Sequence, residues 1–427
     1  MKVQGAAEAR RSDWERKILP LRRQAEITNG WLRYRLENVL PAFMEEEGFD
    51  MWIVAGREYN EDPVILTMLP ATTLQARRRT VLVFYRRADG TLERLVLVRV
   101  GDSIKDFYEC GWLSHDEEQW EAVGRIVRER DPKCIGINIS QNFAFGDGLS
   151  HTEYEALMES LGPDYRAKTK SAERLCLRWL EHRTQSEIDA YTGIVQIAHG
   201  IIEEGFSSRV IHPGVTTCAD VSWWMRQRIV DLGLYAWFHP SVDAQRSGSG
   251  RVHPNEPILP GDLLHCDVGI KYLGLCTDTQ QLAYVLKLDE EDAPKGLKHA
   301  LAVGNRLQDI LAEEHVTGKT GNQMLASALA RAKAEGIRPC IYQHAVGYHG
   351  HAAGTIIGYF DFQEGLPGKG DYELHENTVH AMELNVVESV PEWGGQDVLI
   401  ALEQTTLFKD KKVHFLAGRQ TDFHLIK

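Results

Sequence analysis

Apolar and polar positions follow two periods along this 427-residue chain, and the switches between them mark its elements. From Trp31 to Glu46 apolar residues recur at helical spacing, and Met51-Trp52-Ile53-Val54-Ala55 is the short apolar run of a buried strand. Thr80–Tyr85 and Leu95–Val100 are rich in β-formers, with the turn Ala88-Asp89-Gly90 between them. Glu117–Arg130 is amphipathic, and the run from Cys134 to Ile139 reads as another strand. Interleaved helices and strands predict an α/β domain over residues 31–170, behind an N-terminal extension of residues 1–30.

Near residues 170–185 the pattern changes. Thr184-Gln185-Ser186-Glu187 is a capping box ahead of a helix over 187–206, and a second helix over 218–232 follows Thr216-Thr217. Two apolar runs then flank Gly274: Leu263 to Ile270, and Leu275 to Thr279. They predict a tight β-hairpin with its tip at Tyr272-Leu273, which sets Asp267 and Asp278 opposite each other on one face. Helices near 298–313 and 322–335 come next, and strands again after them. Two helices followed by strands, twice over, suggest an internal repeat within a second domain at 176–427.

Length sets two domains as the expectation. Apolar content of 43% and charged content of 26% describe an ordinary globular protein. A formal charge of −13 argues against nucleic acid as a partner. The seven cysteines are odd in number and never form a Cys-x-x-Cys pair, which fits a reducing compartment better than a disulfide framework. The polar first thirty residues lack the apolar core of a signal peptide, and no run reaches membrane-spanning length. A cytoplasmic location with no membrane partner is the expectation.

The chemistry lies in the second domain. Like charges facing across a ladder destabilise it, so a buried Asp267/Asp278 pair needs a cation or a shared proton. Downstream, residues 342–351 are a glycine-broken run holding His344, His349 and His351. Glu383 and Glu403 each sit inside an apolar, strand-like stretch, where an acidic side chain is costly unless paired or bound to metal. Four carboxylates and one imidazole suit two adjacent divalent ions.

The order Asp267, Asp278 eleven later, His344-Ala345-Val346-Gly347, Glu383 and Glu403 resembles the pita-bread (M24-type) metallopeptidases. That family includes methionine aminopeptidase, Xaa-Pro aminopeptidase, prolidase and creatinase. The match covers residues 176–427, and the α/β domain in front looks like that of the prolidase and Xaa-Pro branch. One such motif is weak evidence; five in order are strong. The resemblance implies a dinuclear site with Asp267, Asp278, His344, Glu383 and Glu403 as ligands, Asp278 and Glu403 bridging. It implies two divalent ions (Mn2+ foremost, with Co2+, Zn2+ or Fe2+ as others), which would make a water nucleophilic at neutral pH. Glu383 would carry the proton, while His351 and His253 would donate hydrogen bonds. The implied activity is aminopeptidase cleavage of short peptides, by a homodimer.

Several positions depart from that branch. Cys340 stands where a histidine is usual, Ala401 where an arginine is usual, and Leu384 where a proline follows the glutamate. His265 replaces an apolar residue; it and Cys276 read as packing behind the ligands. The segment after His253 is short, which makes His239 the alternative to it, and Trp223-Trp224 reads as helix core. These departures motivate a second hypothesis, a metal-dependent lyase or hydrolase for a small non-peptide substrate on the same scaffold. A silent binding protein would have no use for the five ligands. His375 and His380 are five apart, the wrong spacing for a zinc-binding helix face.

Overall fold

Pro20, which has no backbone N–H to leave unpaired, stands just ahead of α1 (Leu21–Tyr34), the first α-helix among the described residues. Only Trp31 and Leu32 of α1 are buried, so the apolar period starts at Trp31 although the helix starts ten residues earlier. One wider turn, Arg35–Val39, leads into α2 (Leu40–Glu46), where Pro41 lacks the N–H that would close the preceding turn. This computed structural model describes residues 12–98, 102–113 and 115–427.

Strands β1 (Met51–Arg57), β2 (Arg79–Arg86), β3 (Leu92–Leu97) and β4 (Glu109–Cys110) follow. The last two positions of the strand expected to reach Val100 lie outside the described residues. Helix α3 (Gln119–Arg130) opens on a capping box between Glu118 and Glu121, and β5 (Ile135–Ile137) comes next. Three later elements escape the period reading. Helix α4 (His151–Arg166) is interrupted at Gly162-Pro163, and β6 (Thr169–Ser171) is short and polar. Helix α5 (Glu173–Glu181) buries Leu175, Cys176, Leu177, Trp179 and Leu180 and gathers Glu173, Arg174, Arg178 and Glu181 on its other side, a pattern only nine residues long. The mixed sheet runs β4-β3-β2-β1-β5-β6 and packs a core with Val123, Ile126 and Val127 of α3 and Leu157, Met158 and Leu161 of α4.

The compact units are Pro20–Thr184 and Gln185–Lys427, the latter joined by residues 12–19. The expected division at 30 thus moves to 19, because α1 begins before Trp31. The expected division at 170–176 moves to 184, because β6 and α5 extend the first unit.

In the second unit, α6 (Gln185–Gly205) precedes α7 (Cys218–Asp231). Thr217 caps α7 by accepting from the N–H of Asp220, whose carboxylate accepts in return from the N–H of Thr217 at 2.9 Å. Then come β7 (Tyr235–Ala236), β8 (Ser241–Arg246), β9 (Gly250–Arg251), β10 (Leu263–Val268), β11 (Ile270–Tyr272), β12 (Leu275–Cys276) and β13 (Thr279–Val285). Helix α8 (Lys295–Glu314) and α9 (Gly321–Ala334, capped by Thr320 and Gln323) restart the helix–helix–strand order. It closes with β14 (Pro339–Ala345), β15 (Thr378–Val390), β16 (Gln396–Lys409), β17 (Lys412–Phe415) and β18 (His424–Ile426).

The large sheet runs β14-β15-β16-β13-β10-β8-β9, with β17 on β16 and β18 on β13; β12, β11 and β7 form a small second sheet. Leu301, Leu307 and Leu311 of α8 and Leu325 and Leu329 of α9 share one core with Met382, Leu384, Ile400 and Leu402 of the sheet. Alternation then sends Glu383 and Glu403 to the opposite face. No helix among the described residues is long and apolar enough to cross a membrane, and all seven cysteines are free thiols.

Candidate metal centre

The hairpin does not turn where the sequence suggested. Its tip is Leu273-Gly274, with Tyr272 paired to Leu275, because both turn residues take positive φ (52° and 77°) and Gly274 supplies that conformation at no cost. A one-residue move of the tip shifts every opposed pair by two. Asp267 therefore faces Gln280, and Asp278 sits just ahead of β13. The two aspartates are near neighbours, not the opposed pair expected.

Register brings in the rest. Glu383 lies directly across from Glu403, Gln280 also faces Glu403, and Tyr342 faces Glu383. His344 follows two residues after Tyr342 on the same face of β14. Ligand atoms of Asp267, Asp278 and Glu403 all lie within 4.8 Å of one another, as do those of His344, Glu383 and Glu403. A third grouping joins Asp278, His344 and His351. His344 Nε2 is 3.5 Å from Asp278 Oδ2 and 3.8 Å from Glu403 Oε1.

The donor accounting shows what the site lacks. Asp267 Oδ1, Asp278 Oδ1, both Glu403 carboxylate oxygens and His344 Nε2 are buried without a hydrogen-bond partner. Such atoms are rare in a folded interior, and here they converge. His344 Nδ1 donates to the carbonyl of Ala345 at 2.9 Å, which places the proton there and turns the bare Nε2 lone pair into the site. Burial also drives the His344 pKa down, favouring the neutral ring a cation needs.

Burial first, and mutual repulsion second, holds Asp267 and Glu403 far above the ordinary carboxylate range; Asp278 is raised by burial and by Glu383. Glu383, more open, is pushed up by burial to about 7. A cation would reverse these penalties. These residues fit divalent ions by donor type and by convergence.

Four neighbours complete the picture. Gln280 Nε2 donates to Glu383 Oε1 at 2.7 Å, and Gln280 Oε1 accepts from His265 Nε2 at 2.9 Å. His265 Nδ1 faces Asp243 Oδ2 at 3.0 Å. Burial opposes charge on both partners, but their hydrogen bond and mutual attraction outweigh it, raising His265 and lowering Asp243. Trp237 donates its indole N–H to the carbonyl of Thr277, beside Asp278, and meets His351 edge-on with ring centroids 5.0 Å apart. Gln280, Asp243 and Trp237 went unnoticed in the sequence. The position of Gln280, two after Asp278 in a wholly buried strand, was the available signal.

Other expected residues lie apart. His253 is exposed, its Nδ1 accepting from the N–H of Asn255 on its own turn. His239 is exposed too and packs at a tilt against Trp223, which is 66% exposed and so is not helix core. Cys340 is half-buried, its thiol donating to the carbonyl of Phe360, and shares a cross-strand row with Asn385 and Ala401. His375 and His380 flank the start of strand β15, not a helix.

The model of metallopeptidase family M24 matches residues 193–409, a little over half of the chain. The chain belongs to metallopeptidase family M24. Its architecture is that of the family's pita-bread catalytic domain behind an N-terminal α/β domain. The structure is similar to an X-Pro aminopeptidase from Thermotoga maritima MSB8 (TM-score 0.65, 15% identity, covering 90% of this chain and 99% of that one). It is similar as well to an Xaa-Pro dipeptidase from Bacillus anthracis (0.60, 16%, 96% and 100%). A third match is the N-terminal domain of FACT complex subunit SPT16 from Cicer arietinum, chickpea (0.58, 12%, 94% and 99%). At these identities the likeness is one of fold, so the M24 chain's chemistry rests on its own residues. No curated protein matches it in sequence.

Proposed function

We propose that this M24 protein is a dinuclear metal-dependent aminopeptidase of the Xaa-Pro aminopeptidase and prolidase kind, acting on the N-terminal bond of short peptides. One observation carries the reading: four carboxylates and an imidazole converge, and the atoms of Asp267, Asp278, His344 and Glu403 named above have no proton donor facing them. Asp267, Asp278 and Glu403 would hold one ion, and His344, Glu383 and Glu403 the other. When bound, the ions would supply Lewis acidity, making a water nucleophilic and polarising the scissile carbonyl.

The residues around them do the rest. Glu383, held near neutrality by burial, can accept a proton and return it to the leaving amine. His351, at the exposed rim beside His344, is placed to donate a hydrogen bond to the substrate or the developing oxyanion. Its grouping with Asp278 and His344 also lets it turn inward as a ligand. His253, exposed on its turn, has no part in this scheme. The test is metal analysis with Mn2+, then assays on Xaa-Pro dipeptides and longer peptides; a metal-loaded protein that cleaves none defeats the proposal.

One observation favours the second reading. Cys340, Asn385 and Ala401 line up one row away from Glu383 and Glu403, where the resemblance would place a histidine and an arginine. Without those groups the floor beside the ions suits a small non-peptide substrate equally well. Metal uptake without peptide turnover selects this reading.

A further inference from the structure

Four side chains link hand to hand across the large sheet. Asp243 on β8 lies directly opposite His265 on β10, and Gln280 on β13 directly opposite Asp267. From Asp243 the contacts run through both ring nitrogens of His265 and both ends of the Gln280 amide to Glu383 Oε1, at 3.0, 2.9 and 2.7 Å. Their direction follows from the groups themselves. Glu383 Oε1 accepts, so the amide end facing it is the NH2 and the end facing His265 is the carbonyl. A carbonyl and a carboxylate both lack protons, so the ring between them donates from both nitrogens.

We propose that Gln280 is the positioning residue for Glu383, itself held by a His265–Asp243 anchor. This rests on the metal-dependent reading above. The amide occupies Oε1 of Glu383 and leaves Oε2 to meet an ion or a proton. Glu403, by contrast, has both oxygens bare. The brace therefore makes Glu383 a one-oxygen ligand of fixed orientation, with Glu403 the carboxylate free to span two ions. It also gives a role to His265, the least expected residue of its strand. A polar ring behind Asp267 serves no apolar core, but it suits the clamping of an amide.

The test compares the wild type with Gln280→Met, which keeps the volume and removes both hydrogen bonds, with His265→Phe, and with the double variant. Mn2+ titration of the wild type should show two binding steps. In Gln280→Met one step should weaken by about 10- to 100-fold while the other holds. Turnover of whichever substrate the wild type accepts should fall in kcat by a similar factor, with KM little changed. His265→Phe should move the same quantities the same way by less, and the double variant should be no worse than Gln280→Met alone. If Gln280→Met does not fold, His265→Phe, whose ring hydrogen-bonds Gln280 and Asp243 and not Glu383, reads the same effect. Unchanged Mn2+ affinities and kcat in the single variants overturn the inference, as do losses that simply add in the double variant. A wild type that takes up no divalent ion removes the metal-dependent reading and this inference with it. Two ions bound by the wild type with no effect of Gln280→Met removes this inference alone.

Discussion

A buried carboxylate with nothing to donate to it is among the costliest residues a protein can keep. Glu403 has both oxygens in that state, with Glu383 directly across the ladder. Glu403→Gln is therefore expected to leave the ion-free protein at least as stable as wild type, while abolishing ion uptake; thermal unfolding in chelator and Mn2+ titration check the two halves. Glu383→Gln should keep the fold and lower kcat by at least about 100-fold, the usual worth of a positioned proton carrier, as steady-state kinetics would show. Elsewhere, Asp62 is buried at the end of a chain in which Trp52 Nε1 donates to Asn138 Oδ1 and Asn138 Nδ2 to Asp62 Oδ2. Burial outweighs these bonds and pushes Asp62 up to about 6 from an ordinary 3.8. Its protonated form is the one the fold prefers. Its contribution is thus full below about pH 4 and is lost as pH rises through about 6, on the order of 3 kcal/mol. Urea unfolding followed by tryptophan emission should show that slope in wild type and a flatter one in Asp62→Asn. At this scale the sequence was legible where a charge interrupts an apolar run, as at Asp267, Glu383 and Glu403. It was silent about Gln280 and Asp243, because neutral or strand-edge polar residues carry no such contrast.

Elements place these residues, and turns place the elements. The period-2 pattern located β10 and β13 well, but their register depended on which two residues take positive φ, and Gly274 settled it one position later than the pattern suggested. Glycines act differently at Gly269 and Gly350, where a Cβ would lie 2.1 Å from Trp237 Nε1 and 2.3 Å from its ring carbons. The indole rests on both, and through them reaches Thr277 and His351. Gly350→Ala is expected to push Trp237 out of place, costing about 1–3 kcal/mol in stability and lowering activity while two ions still bind. A calorimetric scan beside a metal analysis would reveal it, and loss of the ions as well would refute that division of roles. Helix α1 shows the converse limit: its first turn is exposed and its next residues are only half-buried, so the apolar run at Trp31 and Leu32 stands out first, ten residues after the start that Pro20 marks.

For the molecule as a whole, the proposed centre would tie ion binding to folding, since its five candidate ligand residues come from β10, β13's leading turn, β14, β15 and β16 and meet only in the folded sheet. Each ion held at 100 times its dissociation constant should add about 2.7 kcal/mol, so chelation should lower the unfolding temperature and Mn2+ should restore it. A temperature indifferent to chelator and to added ion would count against any resident metal. Family membership was readable from the chain alone, because Asp267, Asp278, His344, Glu383 and Glu403 stand in one order, each in or beside an apolar run where an uncompensated polar group is costly. A change of pattern near residues 170–185 is also visible in the chain, while the boundary between the compact units lies at Thr184. Local periodicity could go no further, since it records which face a side chain takes and not what it meets there. Which oxygen of Glu383 is left open, and why a histidine stands two before Asp267, depended on pairings among β8, β10, β13 and β15, strands separated by up to about 140 residues. Only the folded sheet brings those side chains within hydrogen-bonding distance, and so only the tertiary structure could decide them.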